Sequence, residues 1–146
     1  LINDEMQLTN QLCFSIYNAS RLFNKFYQQA LEPFALTYPQ YLVLLSLWEH
    51  DEQNLHELGT ELNLNSNTLT PLLKRLEKAG WVARFQPESD RRQLKIKLTP
   101  LANEQQKHIY KAIDKCVSHQ QLDIDKYRAA LAMNNELVEA LAETLA

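Results

Sequence analysis

NLHELGTELNLNSNTLTPLLKRLEKAGWVARFQPESDRRQLKIKLT, residues 54–99, decides how the chain folds. Asn54 and Glu57 start a helix that carries Leu55, Leu58 and Leu62 on one side. A short turn, Asn63-Leu64-Asn65, leads to a second helix from about Ser66 to Ala79. Gly80 follows it at the position where a left-handed residue ends a helix. Trp81–Phe85 and Leu94–Leu98 then alternate as two antiparallel strands around a polar tip, Asp90-Arg91-Arg92. Helix, short turn, helix and two-stranded wing is the order of a winged helix-turn-helix.

Charge supports a nucleic-acid partner locally but not globally. The net charge is −3, which alone argues against one. Between Ser66 and Thr99, however, eight basic residues (Lys74, Arg75, Lys78, Arg84, Arg91, Arg92, Lys95, Lys97) face three acidic ones (Glu77, Glu88, Asp90). That segment carries +5 and the remainder −8, and a local basic surface suffices to attract phosphates.

The flanking sequence reads as helices. Apolar residues at Leu8, Leu12, Ile16, Phe23, Tyr27 and Leu31 recur at helical spacing and predict a long first helix ending before Pro33. Thr37 and Gln40 have capping-box spacing, with Pro39 in the first turn, and open a helix through about Glu49. Its run YLVLLSLW is apolar on most faces and is expected at the centre of the core. Thr99-Pro100 opens another helix carrying Leu101, Ile109, Ile113 and Cys116, and a last helix runs from about Asp123 to the end. With two Gly and five Pro in 146 residues, the expected class is mostly α with a small β wing. The expected division is a winged helix-turn-helix at 33–99 and a helical dimerisation region at 1–32 and 100–146. The polar, acidic start LINDEMQLTN lacks a signal-peptide pattern and no apolar run spans a bilayer, so a cytoplasmic protein without membrane association is expected.

In such a unit the second helix fits the major groove, with its N-terminal residues toward the base edges. Here those are Ser66, Asn67, Thr68 and Thr70, small and polar, with Lys74 and Arg75 one turn on, placed for phosphates. Leu69, Leu72, Leu73 and Leu76 would hold the opposite face in the core, while Pro71 removes an N–H from the helix. Arg84 adds to the basic surface. At the wing tip Asp90 accompanies Arg91 and Arg92, and Arg92 suits a narrow minor groove.

The stretch from Asn65 to Thr99, with its Asp-x-Arg wing and a strand ending Leu-Thr, closely resembles the MarR family of dimeric repressors. NQLCFSIYNASR (residues 10–21) and LTYPQYLVLLSLWEH (residues 36–50) narrow this to similarity with its organic-hydroperoxide-sensing, OhrR-type branch. The match covers about residues 8 to 115, and Cys13, Tyr27, Tyr38 and LTYPQY are its most specific part. The resemblance implies a homodimer on an inverted-repeat operator in double-stranded DNA, released when an oxidant such as an organic hydroperoxide reacts with Cys13. It implies also that Tyr27 and Tyr38 hydrogen-bond the sensing cysteine across the dimer. In this branch the oxidised sulfur is resolved either by a small cytosolic thiol or by a second cysteine late in the fifth helix. Cys116 resembles the latter, which would give an intersubunit disulfide.

The residues themselves leave Cys13 open. It has apolar neighbours and no Lys, Arg or His within four residues, so it reads either as a small packed hydrophobe or as a reactive thiol. Tyr17, four residues on, shares its helix face and offers a phenolic donor. Cys116 is either incidental or resolving, and His119 lies three residues after it. The histidines have no zinc-ligand spacing with either cysteine, and no phosphate loop or Ser-His-Asp pattern occurs, so no cofactor, metal or enzymatic activity is expected. Two competitors share these residues: a regulator released by an aromatic ligand held between its dimerisation and DNA-binding parts, and a thiol peroxidase using Cys13.

Overall fold

A computed structural model describes residues 2–115 and 122–146. The elements are α1 (Ile2–Glu5), a 3₁₀ turn (Leu8–Asn10), α2 (Leu12–Leu31), a second 3₁₀ turn (Glu32–Phe34), α3 (Tyr38–Glu49) and β1 (Gln53–Asn54). They continue with α4 (Leu55–Leu62), α5 (Ser66–Lys78), β2 (Val82–Phe85), β3 (Lys95–Leu98), α6 (Pro100–Ile113) and α7 (Ile124–Leu145). The mostly helical class with a small β wing is thus observed. The chain divides into two compact units, Leu1–Tyr110 and Lys111–Ala146.

Local chemistry explains the helix limits. Thr37 accepts the N–H of Gln40 at 3.4 Å while Gln40 Oε1 accepts the N–H of Thr37 at 3.0 Å, closing a capping box on α3. Asn54 and Glu57 close a second box on α4, at 2.8 and 3.3 Å. Asn63, left-handed at φ 54°, ends α4. The side chain of Asn65 accepts the Thr68 N–H at 2.9 Å to begin α5. At the far end of α5, Trp81 N–H reaches the Leu76 carbonyl at 2.9 Å and Gly80 N–H the Glu77 carbonyl at 3.1 Å. This is a Schellman stop, and it requires Gly80 at φ 87°.

The long first helix begins later than its apolar spacing predicts. Leu8 lies in the 3₁₀ turn and Gln11 is extended at φ −90°, ψ 120°, so α2 starts at Leu12. The reason is local competition for backbone groups. Asn10 Nδ2 donates to the Asp4 carbonyl at 2.7 Å and Gln11 Nε2 to the Met6 carbonyl at 3.2 Å, which favours turns there over helix.

The core lies mostly in the winged part, with Leu31 of α2 and Ile109 of α6 joining it. Val43, Leu44 and Leu47 of α3, Leu58 of α4, Leu69 and Leu76 of α5, and Ile109 of α6 are completely buried. Each such side chain contributes about 1.5–3 kcal/mol of burial. Pro71 remains inside α5, on its exposed side, while Leu69, Leu72, Leu73 and Leu76 face inward as their spacing predicts. The sheet has the order β1-β3-β2, all antiparallel, with Val82 opposite Leu98 and Gln53 opposite Ile96. β1 has no counterpart in the sequence reading, because a two-residue strand carries no alternation to detect. Thr99 joins the wing to α6: its hydroxyl donates to the Gly80 carbonyl at 2.6 Å and accepts the Ala102 N–H at 3.4 Å.

Candidate functional site

Two sets of residues carry the expected chemistry. The first lies on α5 and the wing. Ser66, Asn67 and Thr68 are exposed in the first turn of α5, Thr70 is half-buried, and Lys74 and Arg75 are exposed one turn further on. The buried leucines fix which face this row presents. At the wing tip Asp90 Oδ1 accepts both the backbone N–H and the Nε–H of Arg92, each at 3.1 Å. The carboxylate therefore shapes the turn and aims the guanidinium, whose side chain stays 92% exposed. Arg91 is exposed beside it. Lys97 Nζ stands 5.0 Å above the ring of Phe85, bracing the two strands across the wing.

Arg84 is held differently from its basic neighbours. Its Nε donates to Glu77 Oε2 at 2.9 Å, across the end of α5. The side-chain hydrogen bond from Arg84 holds the Glu77 carboxyl below its ordinary value, and the same bond holds Arg84 above its own. The two charges cancel locally, so Arg84 adds less to the phosphate-attracting surface than its sequence position promises.

The second set surrounds α2. Cys13 is exposed in the first turn of that helix, one turn before the exposed Tyr17. The reading of Cys13 as a packed core hydrophobe does not hold within the protomer. Gln11 makes no side-chain cap, so Cys13 lies in a first turn whose backbone N–H groups that residue leaves uncapped. Tyr27 and Tyr38 come together, with ring centroids 4.4 Å apart. Tyr41 completes the cluster, stacked on Tyr27 at 5.8 Å and 6.2 Å from Tyr38. The sequence reading did not single out Tyr41, although the capped α3 places it one turn after Tyr38. Cys13 and Tyr27 lie on one straight helix fourteen residues apart, or roughly 21 Å at 1.5 Å per residue. A protomer therefore does not bring its own cysteine to its own tyrosine cluster. Cys116 and His119 fall outside the described residues. Among the described residues, no helix is long and apolar enough to cross a membrane.

Residues 36–94 match the MarR family. Over 96 residues the chain is 48% identical to the organic hydroperoxide resistance transcriptional regulator of Bacillus subtilis, a match covering 66% of this chain and 65% of that protein. The chain thus spans half to two thirds of the length of the two curated relatives it matches at 48–50% identity. It is 35% identical over 144 residues to the HTH-type transcriptional regulator MgrA of Staphylococcus aureus, covering 98% of both chains. Among solved structures, reduced AbfR bound to DNA aligns over all of both chains with 45% identity and a TM-score of 0.85. AbfR has also been solved overoxidized and bound to DNA, and in a disulfide-formed state.

Proposed function

The chain belongs to the MarR family of transcriptional regulators, and from that premise we propose that it is a homodimeric DNA-binding repressor of the OhrR type, switched by oxidation of Cys13. The observation that carries the redox part is the placement of Cys13: exposed, at the bare N-terminal turn of α2, in a chain that aligns end to end with a regulator known in reduced, overoxidized and disulfide states.

The chemistry balances simply. The Cys13 thiolate attacks the outer oxygen of an organic hydroperoxide, the O–O bond breaks, and an alkoxide leaves, taking a proton to become the alcohol. The resulting sulfenic acid condenses with a second thiol, forming an S–S bond and releasing water. Cys116 is that second thiol in the two-cysteine version, with the bond joining Cys13 of one protomer to Cys116 of its partner. The distance along α2 supports a reading in which the tyrosines assisting Cys13, beyond its own Tyr17, come from the partner. Because overoxidized AbfR still binds DNA, cross-linking rather than a change of charge on sulfur is the step assigned here to release. A covalent link needs the two Cα atoms within about 7 Å, and helices drawn together to meet that limit carry their winged units out of half-site spacing.

DNA contact in this reading uses Ser66, Asn67, Thr68 and Thr70 toward bases, Lys74 and Arg75 toward phosphates, and Arg91 and Arg92 at the wing. The test is binding to the duplex that the wild-type protein selects from a randomised pool, before and after one equivalent of cumene hydroperoxide, with and without reductant. Release that reductant reverses, lost in Cys13→Ser, is expected. Full release from Cys13→Ser would transfer sensing elsewhere. A ligand trigger could draw on an apolar-lined cavity of about 340 Å³ bordered by Leu55, Thr70, Leu73, Arg84, Leu94 and Ile96, which lies within the winged part itself and not between it and the dimerisation helices. Oxidant-independent release by an aromatic compound would select that reading.

A further inference from the structure

The connector between α3 and α4 is built to hold the base of the wing. Gln53 is buried there, and its Nε2 donates to the carbonyls of His50 at 2.6 Å and Ser46 at 3.2 Å, closing the end of α3. Glu52 is left-handed at φ 60°. β1 pairs with β3 only at Gln53 with Ile96 and Asn54 with Lys95. Continued two residues further, that register would set Asp51 opposite Leu98, but the turn at Glu52 carries the backbone out of the ladder. The side chain takes over. Asp51 Oδ1 accepts the N–H of Leu98 at 2.9 Å and the N–H of Glu52 at 2.9 Å. One carboxylate oxygen thus supports the strained turn and also supplies the missing ladder bond to the last residue of β3.

We propose that Asp51 is the wing-positioning residue, whose carboxylate pins the base of β3 to the helix-turn-helix and so sets where Arg91 and Arg92 fall. This rests on the reading that the wing tip contacts DNA. The lever is long. From Leu98 to Lys95 β3 advances roughly 10 Å at strand rise, and the turn that carries Arg92 lies beyond its end. A tilt of about 10° at the base would then displace the end of β3 by roughly 2 Å, and the tip beyond it by more. Asp51 touches no DNA in this scheme and acts only through the strand it holds.

The experiment compares Asp51→Ala, Asp51→Ser and Asp51→Asn, each alone and combined with Arg92→Ala, on the duplex selected by the wild-type protein. Amide hydrogen exchange at Leu98 is measured in parallel without DNA. Asparagine keeps an acceptor oxygen at the same reach and should hold affinity within about threefold of wild type. Alanine should weaken binding about tenfold, within the loss expected of Arg92→Ala, because the tip contact that Asp51 positions is no longer made in register. Serine can still support the Glu52 turn, as short hydroxyls do, but falls short of β3. It should lose affinity like alanine while keeping the fold if alanine does not. Leu98 exchange should quicken in Ala and Ser and stay slow in Asn. In the Arg92→Ala background the alanine should add less than about twofold, because the tip contact it positions is already gone. Unchanged Leu98 exchange in the Ala and Ser variants overturns the proposal, as does full multiplication of the Asp51 and Arg92 effects. A wild-type protein that selects no duplex removes the DNA reading alone, and the exchange measurement still decides what Asp51 holds.

Discussion

The winged part and the terminal helices use their apolar residues in opposite ways. From α3 to α6 most large side chains turn inward, with Leu94, Leu101 and Tyr110 the exposed exceptions. α2 buries only Leu31 of its twenty residues, and α7 buries none of its twenty-two. Leu12, Leu22 and Phe23 on α2, and Ile124, Leu131, Val138, Leu141 and Leu145 on α7, remain exposed in the protomer. A helix that repeats leucine at helical spacing without covering it lacks a partner for that face. The first region folds around its own core, and in the homodimer proposed above the second is the surface that a second copy covers. Stability and assembly are therefore separable by mutation.

The largest effect should follow from charging the α7 face. Leu131→Glu combined with Leu141→Glu places four like charges across a twofold interface and should give monomers by light scattering at micromolar concentration. Duplex affinity should fall by roughly a hundredfold or more, since one half-site alone no longer gains from the linked second one. The winged part should keep its cooperative unfolding in urea. A dimer of undiminished affinity would mean that the α7 stripe faces something else.

Gly59→Ala tests the other side of the contrast. A Cβ there would lie 2.8 Å from the Leu64 carbonyl oxygen, in the turn between α4 and α5. That turn is tied back by the Leu64 N–H to the Gly59 carbonyl at 3.0 Å, so the backbone has little room to yield. A loss of about 2 kcal/mol in urea unfolding is expected, the scale of overpacking, with the dimer intact. An unchanged midpoint would show the turn to be softer than this geometry implies.

Sequence made the winged part legible because its signals are local. Caps at Thr37 and Asn54, the stop at Gly80 and the inward leucines of α5 act within four residues, and all are found as read. What escaped depends on contacts between distant residues. β1 exists because β3 is there to pair with it, and Asp51 finds Leu98 forty-seven residues away. Glu77 neutralises Arg84 across a helix end, which an inventory of basic residues cannot reveal. The late start of α2 escaped for another reason: Asn10 and Gln11 spend their side chains on backbone carbonyls, and apolar spacing is blind to that. For the thiol, the sequence located the residue but not its exposure, and the three-residue spacing of Tyr38 and Tyr41 on α3 was the overlooked signal for the third ring beside Tyr27.

Smaller effects separate the two kinds of basic residue on the winged part. Arg92→Ala should weaken duplex binding by roughly 1–3 kcal/mol if the Asp90-aimed guanidinium enters a groove. Lys74→Ala should weaken it uniformly across sequences and lower the salt slope by about one. Full affinity of Arg92→Ala at moderate salt would take the wing tip out of recognition, leaving α5 as the reader.

The smallest effect concerns Glu77, and its sign is opposite. Glu77 holds Arg84 in an exposed pair, so removing the carboxylate charge costs the fold little and frees a cation beside α5. Glu77→Gln should therefore bind duplex slightly more tightly, with a salt slope steeper by at most about 0.9, the share of one added phosphate contact. Acid should reproduce the substitution. The Glu77 carboxyl titrates below its ordinary range in the folded chain because Arg84 donates to it. The pair's contribution to folding is thus complete above the ordinary carboxylate value and disappears as pH falls through the depressed one. Near neutral pH the pair is intact, and only the substitution separates its members. Comparing wild type with Glu77→Gln at neutral pH across a salt series isolates Arg84 from every other cation on this face. If the slopes coincide, Arg84 does not reach the backbone even when released, and the phosphate-facing surface narrows to Lys74, Arg75 and the wing tip.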